Sequence, residues 1–186
     1  MDTPPLPRRK TIRLQNYDYS QNGAYFVTIC TAHKRPLFGV VRRGDPCGRP
    51  PGPAYVELSE LGRIVESYLT EIPSHYPDVY LASYVIMPDH IHMILVLTQN
   101  QPERAGQCPA PTEESDLSCR RGGTPGPPAL PKIINAFKSL TTRKAGCSLW
   151  QRGYYEHILR NQQDFDEAAG YIAGNPVRRL ERGGFL

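Results

Sequence analysis

Four short runs rich in aromatic and β-branched residues read as strands, and three stretches with apolar residues at helical spacing read as helices. Residues 25–32 (Tyr-Phe-Val-Thr-Ile-Cys-Thr-Ala) form the first strand signal, with Gly23 as the turn before it. Residues 59–72 follow as a helix: Ser59 is the N-cap, Leu61, Ile64, Val65, Tyr68 and Leu69 make an apolar stripe, and Pro73 ends it. Residues 79–87 read as a second strand, Pro88-Asp89 as a tight turn, and 90–97 as a third strand. Both faces of that third strand are apolar beyond His92, which predicts a central place in its sheet. Residues 131–145 read as a second helix, with Pro131 in its first turn and Ile133, Ile134, Phe137 and Leu140 on its buried face. Residues 154–159 form a fourth strand signal. A last helix covers 165–174, with Asp164 and Glu167 in a capping-box spacing. The order β-α-β-β-α-β plus a C-terminal helix predicts an α+β chain of ferredoxin-like plan.

Two segments break this patterning. Residues 42–54 and 99–130 are rich in Pro, Gly and Arg and too poor in apolar side chains to repay ordering, so both read as loop insertions. The 186 residues otherwise suffice for a single domain, 1–186, with a core of its own. No apolar run approaches a membrane span, and the charged, proline-containing start is unlike a signal peptide; the expectation is a cytoplasmic protein without a membrane partner. The five cysteines (Cys30, Cys47, Cys108, Cys119, Cys147) are odd in number and include no CxxC, which argues against a disulfide framework and a thiolate zinc site.

Charge sharpens the picture. Net charge is only +4, yet 17 of the 22 basic residues are arginine, the side chain whose planar fork pairs best with phosphate. They cluster at Arg8, Arg9, Lys10 and Arg13 and again at Arg178, Arg179 and Arg182. Lys132, Lys138, Arg143 and Lys144 fall in a stretch, 132–150, that holds no acid. A solvated surface explains such clusters individually; three together point to a polyanion.

The candidate chemistry sits in two places. His90 and His92 are two apart on the third strand, so both imidazoles face one side and Ile91 the other. Paired neutral imidazoles are half of a metal site. In the last helix, Tyr171 and Asn175 are four apart, and Glu167 precedes Tyr171 by four. A tyrosine can attack phosphorus if a bound divalent cation stabilises the developing charge, and His90, His92 and an oxygen ligand such as Asn175 could hold that cation. Pro176 disfavours a helical Asn175, so the pattern leaves the direction of that side chain open.

Five stretches, in order, resemble the REP-associated tyrosine transposases, single-tyrosine members of the His-hydrophobic-His endonucleases. They are Arg8-Arg9-Lys10; Tyr17 to Thr28 (YDYSQNGAYFVT); Met87-Pro88-Asp89-His90-Ile91-His92; Trp150 to His157 (WQRGYYEH); and Tyr171-Ile172-Ala173-Gly174-Asn175-Pro176. The likeness covers nearly the whole chain except the two insertions. It implies that His90 and His92, with Asn175, hold Mg²⁺ or Mn²⁺, and that Tyr171 attacks the scissile phosphate of single-stranded DNA beside a hairpin. A 5′-phosphotyrosine link then forms and a 3′-hydroxyl leaves. Arg8, Arg9, Lys10, Arg178 and Arg179 are the DNA-contact candidates, and the protein is expected to act as a monomer or a homodimer. Tyr154 and Tyr155 are rival nucleophiles, and Asp89 reads as a turn residue facing away from the histidines.

Two other functions fit parts of the pattern. A non-catalytic ferredoxin-like module could stack bases on Tyr25 and Phe26, but leaves the histidine pair and Tyr171 idle. An inactive, domesticated transposase would keep the motifs without the reaction. A metal-free two-histidine phosphodiesterase needs two His-x-Ser/Thr motifs, and the residues two after His33, His75 and His157 are Arg35, Pro77 and Leu159.

Overall fold

Strand propensity and helix caps place ten elements in the computed structural model, which describes residues 22–43, 53–98 and 130–182. In chain order they are β1 (Gly23–Cys30), β2 (Gly39–Arg42), β3 (Tyr55–Leu58), α1 (Glu60–Thr70), α2 (Ile72–His75), β4 (Val79–Met87), β5 (His90–Leu97), α3 (Leu130–Ala145), β6 (Tyr155–Leu159) and α4 (Gln162–Glu181); a short 3-10 turn, Ala32–Lys34, follows β1. The principal sheet runs β4-β5-β1-β6 with every neighbour antiparallel. Leaving aside the β2–β3 hairpin and α4, this is the expected ferredoxin-like arrangement, with β5 interior as its two apolar faces require.

The two faces of the sheet do different work. Tyr25, Val27 and Ile29 of β1 and Ile91, Met93, Leu95 and Leu97 of β5 are buried in the larger core. Val65 and Leu69 of α1 and Ile133, Ile134 and Phe137 of α3 close over them. The alternate residues, Ala24 and Phe26 of β1 and Ile94 and Val96 of β5, pack against Phe165, Ala168, Ala169 and Ile172 of α4. The period-2 alternation therefore sends Thr28, His90 and His92 to the side that α4 covers. Tyr25 is fully buried under the other helices, so it offers no stacking surface.

The β4–β5 turn is fastened from outside the sheet. The Asp89 carbonyl accepts from the backbone N–H of Thr31 at 2.9 Å and from its hydroxyl at 3.0 Å, and the Pro88 carbonyl accepts from the Phe38 N–H at 3.0 Å. Four hydrogen bonds to four carbonyls hold the following segments in register: Gln151 N–H to Cys30, Ala32 N–H to Leu149, and Ser59 N–H and hydroxyl to Phe38 and Leu37. Gly62 is required where α1 meets Phe38, because a Cβ there would collide with the Phe38 carbonyl.

Several expectations are corrected. Gly23 begins β1 instead of forming a turn. Ser59 does cap α1, accepting from the Gly62 N–H at 3.1 Å, but α1 stops at Thr70 and Pro73 lies inside α2, where a proline near the first turn gives up no needed donor. Leu140 is 39% exposed, and Leu130 and Thr141 are buried on α3 instead. The N-cap of α4 is Asn161, not Asp164; its side chain accepts from the Asp164 N–H at 2.8 Å while Asp164 accepts from the Arg160 N–H. The helix continues to Glu181 through Pro176. The expected 42–54 insertion begins within β2, since Arg42 pairs with Tyr55; residues 44–52, and 99–129 of the second insertion, lie outside the described residues.

Candidate active site

β5 begins at the fastened turn, so its first residues inherit a fixed backbone. His90 and His92 stand side by side, ring centroids 4.6 Å apart and ring planes at 72°. Each ring is oriented through its Nδ1. The His90 Nδ1 donates to Asp89 Oδ1 at 2.7 Å, and the His92 Nδ1 shares a 2.7 Å hydrogen bond with Thr28 Oγ1 of the neighbouring strand. Asp89 therefore does not face away from the histidines, as a simple strand alternation would have it. It belongs to the turn, where alternation does not apply, and its side chain reaches back to the next ring. A carboxylate on the far nitrogen fixes the tautomer of a ligating histidine and raises its basicity. The bond with His90 also holds the Asp89 carboxyl below the usual carboxylate range, against the opposing effect of burial, and Arg179 at 3.7 Å adds to this.

His92 is only 6% exposed. Burial first, then the neighbouring His90, depress its pKa to about 3, so it is a neutral imidazole at physiological pH. Its Nε2 is buried and meets no hydrogen-bond partner among the described residues. A nitrogen in that position is costly unless a group from outside the chain takes its lone pair, which is the donor chemistry a divalent cation uses. Among the described residues no group of three His, Cys, Asp or Glu side chains is placed to hold a metal.

α4 brings the remaining groups. Tyr171, Asn175, Arg178 and Arg182 follow at spacings of four, three and four, one helix face. The Tyr171 ring lies edge-on to His92 with centroids 5.2 Å apart, and edge-on to Phe26 at 6.0 Å. Phe26 in turn stacks on His92 at 5.2 Å and 22°, so one phenyl ring sets both the metal-ligand candidate and the tyrosine. Because α4 runs on through Pro176, Asn175 keeps its helical direction and is buried at the same site. His90, Tyr171, Asn175, Arg178, Arg179 and Arg182 line one cavity of about 170 Å³.

The structure thus brings together His90, His92, Tyr171, Asn175, Arg178 and Arg179. Glu167 instead accepts from Gln163 on the exposed helix surface. Arg8, Arg9 and Lys10 lie outside the described residues. Tyr155 is half exposed on β6; it pairs with Thr28, two strand spacings or about 10 Å from the β5 position of His92. Phe26, Thr28 and Asp89 are the site residues that sequence reading missed. Phe26 and Thr28 were open to detection by the same alternation that placed Tyr25 and Val27 in the core, but their partners required the register of β1 on β5.

No protein-family model matches the chain. An uncharacterized protein of Haemophilus influenzae is 31% identical over 177 residues, covering 92% of this chain and 90% of that protein. A second protein of the same organism, named "Putative REP-associated tyrosine transposase", is 24% identical over 167 residues, 89% of this chain and 77% of its own length. Among solved structures, a REP-associated tyrosine transposase bound to a REP hairpin shares the fold with a TM-score of 0.54 at 18% identity, over 90% of this chain and 73% of the other. No described helix is long and apolar enough to cross a membrane.

Proposed function

Because the chain belongs to the REP-associated tyrosine transposases, we propose that it cuts and rejoins single-stranded DNA beside hairpin-forming palindromic repeats, with Tyr171 as its nucleophile. The observation that carries the reading is the convergence of Tyr171 with His90 and His92 at one cavity edged by arginine. A structural tyrosine has no need of that company. The hairpin in the neighbouring structure supports the substrate class.

In this reading His90, His92 and Asn175 would hold Mg²⁺ or Mn²⁺. The cation would polarise the phosphate and neutralise charge as it builds. The imidazole pair favours Mn²⁺ over the harder Mg²⁺, which prefers an oxygen shell. The Tyr171 Oη forms a bond to phosphorus and the P–O3′ bond breaks. The phenol gives its proton to solvent, the leaving 3′ oxygen takes one up, and the strand is left as a 5′-phosphotyrosine. The ester energy is conserved, so a second 3′-hydroxyl can reverse the exchange without ATP. Arg178 and Arg179, with Arg8, Arg9 and Lys10, supply phosphate contacts. Single strands suit such a site because an unpaired backbone can bend into a narrow cavity and a duplex cannot.

The test is covalent trapping. Wild type and Tyr171→Phe are each mixed with a repeat-derived hairpin oligonucleotide and Mn²⁺ and run on a denaturing gel. A metal-dependent adduct in wild type, absent from a Tyr171→Phe protein that still binds the DNA, is the expected result. An adduct in both moves the nucleophile to Tyr155 or Tyr154, and DNA binding with no adduct in either favours the non-catalytic module.

A further inference from the structure

Arg178, Arg179 and Arg182 occupy the last turns of α4, where any cation gains from the partial negative charge of the helix end. That effect does not account for where Arg178 goes. Arg178 lies back along the helix, as helical side chains do, and its guanidinium carbon reaches 5.0 Å from the centre of the Tyr171 ring. Its path crosses Gly174, one turn earlier: a Cβ built there would stand 3.8 Å from the Arg178 Nε. Glycine is a poor residue for a helix interior. At 3.8 Å that Cβ would make an ordinary van der Waals contact, so Gly174 marks the path of Arg178 without being required for it.

The neighbouring cation already has a carboxylate partner. Arg179 pairs with Asp89, which orients His90. Among the described residues no ion pair holds Arg178, and it lines the cavity together with Tyr171, His90 and Asn175. It is thus an unpartnered guanidinium fork against the nucleophile's own ring, facing the space where a phosphodiester would sit.

We propose that Arg178 is a further catalytic residue of this site, gripping a non-bridging oxygen of the scissile phosphate while Tyr171 attacks. The inference rests on the strand-transfer reading above and adds a role to it. As the Tyr171 Oη–P bond forms and the P–O3′ bond breaks, negative charge accumulates on the equatorial oxygens. Arg178 neutralises it and stays protonated throughout; the proton exchange remains between the two reacting oxygens and solvent. Lys at this position would keep the charge but lose the paired N–H geometry.

The experiment compares wild type, Arg178→Ala and Arg178→Lys on an oligonucleotide that carries a palindromic-repeat hairpin with single-stranded flanks. Adduct formation is measured in single turnover at saturating DNA with Mn²⁺, and affinity separately by fluorescence anisotropy. Arg178→Ala is expected to lose about 100-fold or more in rate and under about 10-fold in affinity, as one phosphate contact among several. Arg178→Lys should fall between. Millimolar guanidinium should restore part of the rate to Arg178→Ala and none to Tyr171→Phe. A rate within about threefold of wild type at saturation, from the usual span of a surface substitution, overturns the proposal, whether or not affinity has fallen. No Tyr171-dependent adduct in wild type overturns the strand-transfer reading itself, and this role with it.

Discussion

Asp89 has two partners on two different elements, the His90 ring that follows it and Arg179 on α4. Removing it by Asp89→Ala should let His90 rotate and change tautomer. Calorimetric titration with Mn²⁺ should then show affinity lower by about 10- to 100-fold. Asp89→Asn keeps an acceptor for His90 but no charge for Arg179, and should lie between. An unchanged affinity in Asp89→Ala would mean that the turn alone holds the ring. His92 gives a second prediction, in pH. Its folded pKa, about 3, lies below the ordinary 6.5, so between these values the unfolded chain binds a proton that the folded one does not. Stability must therefore fall as pH drops from about 6.5 toward 3, by up to about 1.4 kcal/mol per unit. The Asp89 shift also costs stability in acid, but only below its ordinary value of 3.8. Thermal melts of metal-free protein should show the loss between pH 6.5 and 4, and a His92→Gln variant should flatten it.

α4 shows what can and cannot be read at the level of the element. Its apolar stripe, Phe165, Ala168, Ala169 and Ile172, is legible as a period of three and four, and so is the adjoining Tyr171–Asn175 face. Its extent is not. A helix-interior proline costs about 3 kcal/mol in isolation, and local rules stop the helix at Gly174. Packing overrides them: Pro176 is buried where α4 passes β3 and β4, and it lines one pocket with Tyr55, Leu58 and Val85. The β2–β3 hairpin was hidden for a related reason. Its strands are four residues each, and a Pro-, Gly- and Arg-rich stretch separates them, so neither shows a pattern until paired with the other. By contrast β1, β4, β5 and β6 each carried enough apolar residues to be seen alone. The start of α4 depends on Asn161, whose side chain caps it. Asn161→Ala should lower stability by about 1 kcal/mol in a denaturant titration and leave metal affinity unchanged. A loss of metal affinity of similar size would show that the first turn of the helix sets the position of Tyr171 and Asn175 three turns on.

At the scale of the whole molecule the sheet separates two tasks. The α1 and α3 side holds most of the buried apolar surface, while the α4 side holds a small apolar cluster and then the polar site. The sequence showed the histidine pair, the tyrosine and the basic helix end as separate signals. It could not show that they share a cavity, because that depends on the register of β1 against β5 and on α4 folding back over the sheet. The arrangement has a kinetic meaning. Tyr171 stands against His92 of its own chain, ring centroids 5.2 Å apart, with Phe26 packed against both rings. A site finished by a second copy would turn over faster per molecule as protein concentration rose, and two crippled copies would complement each other. If Tyr171 serves the histidines of its own chain, each molecule should react as an independent unit: the half-life of a bound substrate should be the same at nanomolar and micromolar protein, and a mixture of Tyr171→Phe with His90→Ala chains should be as dead as either alone.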